Sequence, residues 1–259
     1  MRLKACQQIQ STADRSLLSA RNIPLRERLI LALDVPTVDE AKQLVATFGE
    51  DVVFYKIGLQ LLLAGGGGKE GYAELIDWLV GRKKKVMVDV KMFDIAETVK
   101  AGVRQLRNRG VTFATVHGSD PILKAAVEGR DGVKILAVTV LTSLDQSDVE
   151  DLGFKCNIEQ LVLSRAKRAL ALKCDGVISS GIEVRALRRE FGREFVIAVP
   201  GIRPLVNRVV DDQKRVADIE AAFLDGADYI VVGRPIRNAT NPKAKAREFQ
   251  QRIAKLFEP

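Results

Sequence analysis

The sequence predicts an α/β chain folded as a parallel, eight-stranded (β/α)8 TIM barrel, and three observations carry that prediction. From Leu29 onward, eight short runs rich in Val, Ile and Leu alternate with stretches of helical period. Near-continuous apolar strands are buried on both faces, as in a parallel sheet flanked by helices. The length of 259 residues suits one such barrel. Finally, charged residues gather at the C-terminal ends of the apolar runs, the edge where parallel α/β folds keep their chemistry.

Residues 1–27 form an N-terminal extension with basic residues, Ser and Gln but weak periodicity, closed by Pro24. It lacks the apolar core of a secretory signal and resembles an organellar transit peptide only faintly, so a short amphipathic helix capping the domain is expected. Residues 28–259 are assigned to one barrel domain. Its strands are expected at 29–34, 52–57, 86–91, 111–117, 133–141, 176–179, 195–200 and 229–232. The helices are expected at 38–48, 71–82, 95–109, 121–129, 157–173, 182–191, 214–225 and 242–257. Thr37, with Glu40 three positions on, marks a helix start, and Gly110 marks a stop. The run Gly65–Gly68 reads as a flexible loop leading into the helix from Tyr72; no Lys-Ser/Thr follows it, as a phosphate-cradling loop would require.

Hydrophobic residues make up 47% of the chain and aromatics only 5%, which suits an aliphatic core. No apolar run reaches the roughly 18 residues of a membrane span. Cys6, Cys156 and Cys174 are widely spaced and form no C-x-x-C pair, which argues against a disulfide framework or zinc ribbon and for a reducing, cytoplasmic setting. The net charge of +8 is spread along the chain. Its densest run, Lys83-Lys84-Lys85, falls at a helix end, where the helix dipole favours cations, and reads as a solvated end rather than a nucleic-acid patch. Neither nucleic acid nor a membrane is an expected partner. The surplus charge suits anionic, phosphorylated small molecules.

The chemistry is expected at strand ends. Along 86–91, alternation puts Val86, Val88 and Val90 on one face and Met87, Asp89 and Lys91 on the other, with Asp94 just beyond. Asp34 is in phase with Ala32 and Ile30, and Lys56 with Phe54, so both point to the barrel axis or its rim. The spacing of Asp89, Lys91 and Asp94 alone would equally suit a salt-bridged strand end. Four charges meeting from three adjacent strands are expensive to desolvate, and that favours an active site. Thr142 and Ser143 follow the fifth strand, Pro200 to Arg203 the seventh, and Gly233-Arg234 the eighth, where such barrels commonly bind phosphate. The sole histidine, His117, excludes a multi-histidine metal site and reads as a packed core residue more readily than as a ligand contact. No G-x-S-x-G nucleophile elbow is present.

Leu31-Ala32-Leu33-Asp34, Lys56-Ile57-Gly58, Asp89 to Ile95, Thr139 to Ser143, Pro200 to Arg203, Asp212-Gln213 and Val232 to Ile236 occur in an order and spacing that resembles the orotidine 5′-phosphate decarboxylase family, in its bacterial-type branch. The resemblance covers roughly residues 28–257. It implies a (β/α)8 barrel that acts as a homodimer, without cofactor or metal, in the last step of UMP synthesis. It also implies that Lys91 donates a proton to C6 of the pyrimidine, that Asp89 lies beside the substrate carboxylate, and that Lys56 links the charges. Asp94 would reach the partner's site across the dimer. Asp34 and the partner's Thr98 would contact the ribose, and Thr142 and Ser143 the base. Arg203, Gln213, Gly233 and Arg234 would surround the phosphate, with Ile95 and Pro200 completing the substrate-binding set. The chain departs from the family's usual His-Asp-Ile-Pro-Asn/Thr-Thr at Phe93, Ala96 and Glu97, and again at Gly118-Ser119-Asp120. A magnesium-dependent sugar-phosphate decarboxylase or synthase shares D-x-K-x-x-D but carries an acidic metal ligand where Lys56 stands, so Lys56 and Gln213 favour the orotidine reading. A non-enzymatic nucleotide-binding barrel would have no use for the complete charged cluster.

Overall fold

The computed structural model describes residues 15–18, 21–64, 71–202 and 215–258. Eight parallel strands close in chain order into one barrel. They are β1 (Leu29–Ala32), β2 (Phe54–Gly58), β3 (Lys85–Met92), β4 (Phe113–His117), β5 (Lys134–Val138), β6 (Gly176–Ile178), β7 (Val196–Val199) and β8 (Tyr229–Val232). β1 pairs with β2 through Leu31 and Tyr55 and with β8 through Ile30 and Val231, which removes both sheet edges. The surrounding helices are α1 (Val38–Phe48), α2 (Leu59–Leu62), α3 (Tyr72–Gly81), α4 (Ala96–Arg104), α5 (Asp120–Gly129) and α6 (Gln146–Asp151). They continue with α7 (Ile158–Ala171), α8 (Val184–Phe191), α9 (Ile219–Leu224), α10 (Arg234–Arg237) and α11 (Pro242–Phe257).

Alternation along the strands divides the apolar residues into two cores. Leu29, Leu31, Val86, Val88 and Ile197 pack outward beneath the helices, while Ile30, Ala32, Phe54, Met87, Phe113 and Tyr229 pack inside the barrel. Burying each large aliphatic side chain contributes about 1.5–3 kcal/mol, so this two-sided pattern fixes which way every strand faces. Phe54, Phe113 and Tyr229 open their strands and meet at centroid separations of 5.5, 5.9 and 5.2 Å. These three rings fill the N-terminal end of the barrel, which leaves the polar strand ends to form the opposite mouth. Below them Asp228, fully buried, accepts from Arg188 Nη2 at 2.8 Å and from the Ile197 amide at 2.9 Å.

Local signals place the helices. Thr37 Oγ1 accepts from the Glu40 amide at 3.2 Å and caps α1, an interaction typically worth about 1 kcal/mol. Asn157 caps α7 in the same way through the Gln160 amide at 2.8 Å. Helix α4 ends at Arg104, earlier than the expected 109, and the chain turns through to Gly110. There φ is +70°, and a Cβ would stand 2.7 Å from Val80. The short helices α2, α6 and α10 were not anticipated, because one or two turns carry too little periodicity to register. The run Gly65–Gly68 lies outside the described residues, although α3 starts at Tyr72 as expected.

One expectation is corrected. The basic run is only partly a solvated helix end: Lys84 is buried and donates to Gly49 O at 2.8 Å and Glu50 Oε1 at 3.0 Å, and Lys85 opens β3 paired with Glu27 at 2.5 Å. Carboxylates brought from distant segments neutralise two of the three cations. In the N-terminal extension, residues 15–18 and 21–27 contain one 3-10 turn, Leu25–Glu27, and no α-helix; the rest of the expected capping helix lies outside the described residues. Instead, Ile23 packs under the barrel interior and Arg21 approaches Asp228 at 3.7 Å.

Candidate active site

A cavity of about 410 Å³ opens at the C-terminal mouth of the barrel. Asp34, Lys56, Asp89 and Lys91 line it, as do Thr142, Ser143, Pro200, Gly233 and Arg234. The geometry of three of the four charged groups follows from strand phase: Ala32, Phe54 and Met87 face inward, and so do Asp34, Lys56 and Asp89 two positions further on. Lys56 Nζ lies 2.8 Å from Asp34 Oδ1 and 3.3 Å from Asp89 Oδ2, and Lys91 Nζ lies 2.9 Å from Asp89 Oδ1. The result is an unbroken line of alternating charge, Asp34, Lys56, Asp89, Lys91, across the cavity. Gly58 leaves room for it, since a Cβ at that position would come 3.2 Å from Lys56 Nζ.

The environment fixes the charge states. Burial alone would raise the Asp89 carboxyl, but Lys56 first, then Lys91 and the Thr115 hydroxyl, hold it below the ordinary carboxylate value. Burial likewise works to lower Lys56, and the opposing pull of Asp89 and Asp34 leaves it above the ordinary lysine value. Both groups are therefore ionised at neutral pH. The line of charges balances two cations with two anions, so a phosphorylated, carboxylated ligand must find further cations elsewhere in the cavity. Arg234 and Arg237, three positions apart on α10, line its wall. The Nη1 atom of Arg237 is buried and has no hydrogen-bond partner among the described residues.

The wall beside Thr142 and Ser143 is tied down by Arg215. Its guanidinium donates to Val140 O at 3.1 Å, Leu141 O at 3.0 Å and Glu183 Oε1 at 2.5 Å, while its amide donates to Thr142 O at 3.2 Å. This buried ion pair holds the segment after β5 against the loop after β6.

Other expected site residues lie elsewhere. Asp94, Ile95 and Thr98 sit on the exposed start of α4 and do not line the cavity of their own chain. Asp94 Oδ1 accepts from the Ile95 amide at 2.6 Å, while Ile95 is 72% and Phe93 67% exposed. His117 is half-buried and packs edge-on against Phe93 at 5.3 Å, and burial lowers its imidazole from the ordinary value, assisted by Arg165 and Lys91. Arg203 and Gln213 lie outside the described residues. Sequence reasoning missed Arg237, Arg215 and Thr115. Arg237 could have been found from its helical spacing to Arg234, and Thr115 as a polar residue in phase with inward-facing Phe113. Arg215 carried no local signal, because its partners come from the fifth and sixth strand ends.

The chain matches the model of the orotidine 5′-phosphate decarboxylase / HUMPS family over residues 27–249. It is 54% identical over 242 residues to the orotidine 5′-phosphate decarboxylase of Methylococcus capsulatus, covering 93% of this chain and 98% of that protein. The enzyme of the same name from Nitrobacter winogradskyi is 44% identical over 236 residues, covering 90% and 95%. Among solved structures, the Lactobacillus acidophilus orotidine 5′-phosphate decarboxylase superposes with a TM-score of 0.75 at 32% identity, covering 90% of this chain and all of that one.

Proposed function

We propose a mechanism from the premise that this chain belongs to the orotidine 5′-phosphate decarboxylase / HUMPS family and decarboxylates orotidine 5′-phosphate to UMP in pyrimidine biosynthesis. The observation that carries the mechanism is the alternating line from Asp34 to Lys91. When the bond between C6 and the carboxylate breaks, CO2 leaves and its electron pair stays in an orbital at C6 that the ring carbonyls cannot delocalise. A fixed ammonium beside C6 stabilises that charge and then gives it a proton. Lys91 is that ammonium. Its neutral amine regains a proton from solvent after product leaves. Asp89 lies beside the departing carboxylate, and Lys56, held between Asp34 and Asp89, keeps Asp89 ionised and both carboxylates in place.

Asp34 contacts the ribose, Thr142 and Ser143 the base with Pro200 beside them, and Arg234 the phosphate, together with Gly233, Arg203 and Gln213. Asp94, Ile95 and Thr98 belong to the site of a second copy in a homodimer. Supporting this is their exposed position next to the mouth, among apolar side chains unsuited to water: Phe93 and Ile95 after β3, and Leu59 and Leu63 after the neighbouring β2. No helix among the described residues is long and apolar enough to cross a membrane. The free thiols of Cys156 and Cys174 support a cytoplasmic setting. The test is loss of orotidylate absorbance with the purified protein. Turnover is expected in the wild type and its near-complete loss in a folded Lys91→Ala variant. Comparable turnover in the variant would remove Lys91 from the reaction.

A further inference from the structure

We propose that Thr115 is a positioning residue for the decarboxylation, its single hydroxyl setting both the Asp89 carboxylate and the main chain of Lys91. The inference rests on the mechanism above and extends it to a residue that does not line the cavity.

The two catalytic charges of β3 sit in an irregular stretch. β3 pairs with β4 through Val88 and Ala114, and pairing resumes at Met92 and Val116. Asp89, Val90 and Lys91 therefore face Thr115 alone, as in a β-bulge, which re-aims side chains at functional sites. Within this stretch Lys91 adopts φ = +49°, a left-handed conformation that L-residues other than Asn and Asp rarely take. A bulge of this kind deprives the bulged strand of ladder partners, and a buried amide without one is costly. The Lys91 amide finds its partner in a side chain, donating to Thr115 Oγ1 at 3.0 Å.

The same hydroxyl donates its proton to Asp89 Oδ1 at 3.0 Å. Oδ1 also receives Lys91 Nζ at 2.9 Å, while Oδ2 faces Lys56 at 3.3 Å. Acceptance from Lys91 N–H directs the Thr115 proton toward Asp89, so one group locks the backbone that carries the proton donor and the carboxylate beside it. Thr115 is fully buried on β4, in phase with inward-facing Phe113, and its β-branch restricts χ1. A hydroxyl in such a place needs its partners, and here both belong to the reacting pair.

The test compares three variants in the full-length protein. Thr115→Val keeps shape and volume without the hydroxyl, and Thr115→Ser and Thr115→Ala differ from one another by the hydroxyl alone. With orotidine 5′-phosphate, kcat is expected to fall on the order of 10²-fold in the Val and Ala variants, the cost of displacing a reacting group by about 1 Å. KM and UMP affinity are expected to change little, because Thr115 does not line the cavity. Thr115→Ser should stay within about threefold of wild type. The acid limb of kcat should also move to higher pH in Thr115→Val, since the carboxylate loses a donor that lowers its pKa. Should Thr115→Val fail to fold, the Ser and Ala pair decides. Equal kcat in Ser and Ala, or a loss confined to KM, would overturn the proposal. A wild type inactive on orotidine 5′-phosphate would instead remove the mechanism on which it rests.

Discussion

Replacing Lys56 by Met tests the electrostatics of the site most directly. The Lys56 side chain is 11% exposed and its ammonium lies between Asp34 and Asp89, at 2.8 and 3.3 Å, and the Asp89 side chain is itself only 10% exposed. At the effective dielectric of a protein site a pair about 4 Å apart is worth roughly 4 kcal/mol. Stranding one partner of a buried pair costs about 3–5 kcal/mol, because the remaining charge keeps its desolvation penalty. In a chain of this length each kcal/mol moves Tm by about 2–4 °C, so the variant should melt roughly 6–20 °C below wild type near neutral pH. The pH dependence gives the decisive signature. Asp89 is depressed in the folded protein, so its contribution to stability is present above its ordinary value, about 3.9, and lost as pH falls through the lower folded value. Lys56 is raised, so its contribution holds below about 10.4 and is lost as pH rises through the higher folded value. Without Lys56, Asp89 keeps the burial that raises its pKa and loses the strongest influence that lowers it. The gap in Tm should therefore be widest near neutral pH and narrow toward about pH 4, as Asp89 takes up a proton in the variant. Calorimetry across that range measures it. A gap within about 2 °C at neutral pH, or one independent of pH, would refute the reasoning.

The remaining predictions concern turnover and assembly. Lys91→Ala should fold with little loss of Tm, because Lys91 is the more exposed partner of Asp89, yet lose nearly all kcat; calorimetry and the absorbance assay separate the two. If Asp94 serves the partner's site, inactive Lys91→Ala and Asp94→Ala subunits should regain activity when mixed, since one site of each mixed dimer collects both defects and the other none. No recovery, with mixed dimers shown by mass, would place Asp94 in its own chain's site. Arg234→Ala should lower kcat/KM for orotidine 5′-phosphate on the order of 10³-fold while changing little for the phosphate-free nucleoside. Equal losses on both substrates would make Arg234 a structural residue.

Much of the fold was legible because its causes are local. A strand buried on both faces must be continuously apolar, so the runs at Leu29, Val86 and Tyr229 announced themselves, and Thr37 could be read as a cap from the carboxylate three residues on. The phase of each strand was equally readable. Asp34, Lys56 and Asp89 stand in step with inward-facing apolar residues, and the closed barrel brings them into one cavity, where the bulge after Val88 adds Lys91.

What the sequence alone determined is which residues carry charge to the mouth of the barrel and on which face of each strand they stand, because alternation needs no more than the covalent chain. Tertiary structure decided what those charges touch. Arg215 holds the wall at Thr142 through partners from two other strand ends, buried Lys84 is paired with a carboxylate 34 positions away, and Thr115 meets Asp89 only because β3 bulges opposite it. The same holds for the left-handed backbone at Lys91, which no propensity would assign to lysine. Hydrogen bonds and ion pairs act over about 3 Å, and which groups come that close depends on barrel closure and strand register, which bring together residues far apart in the chain.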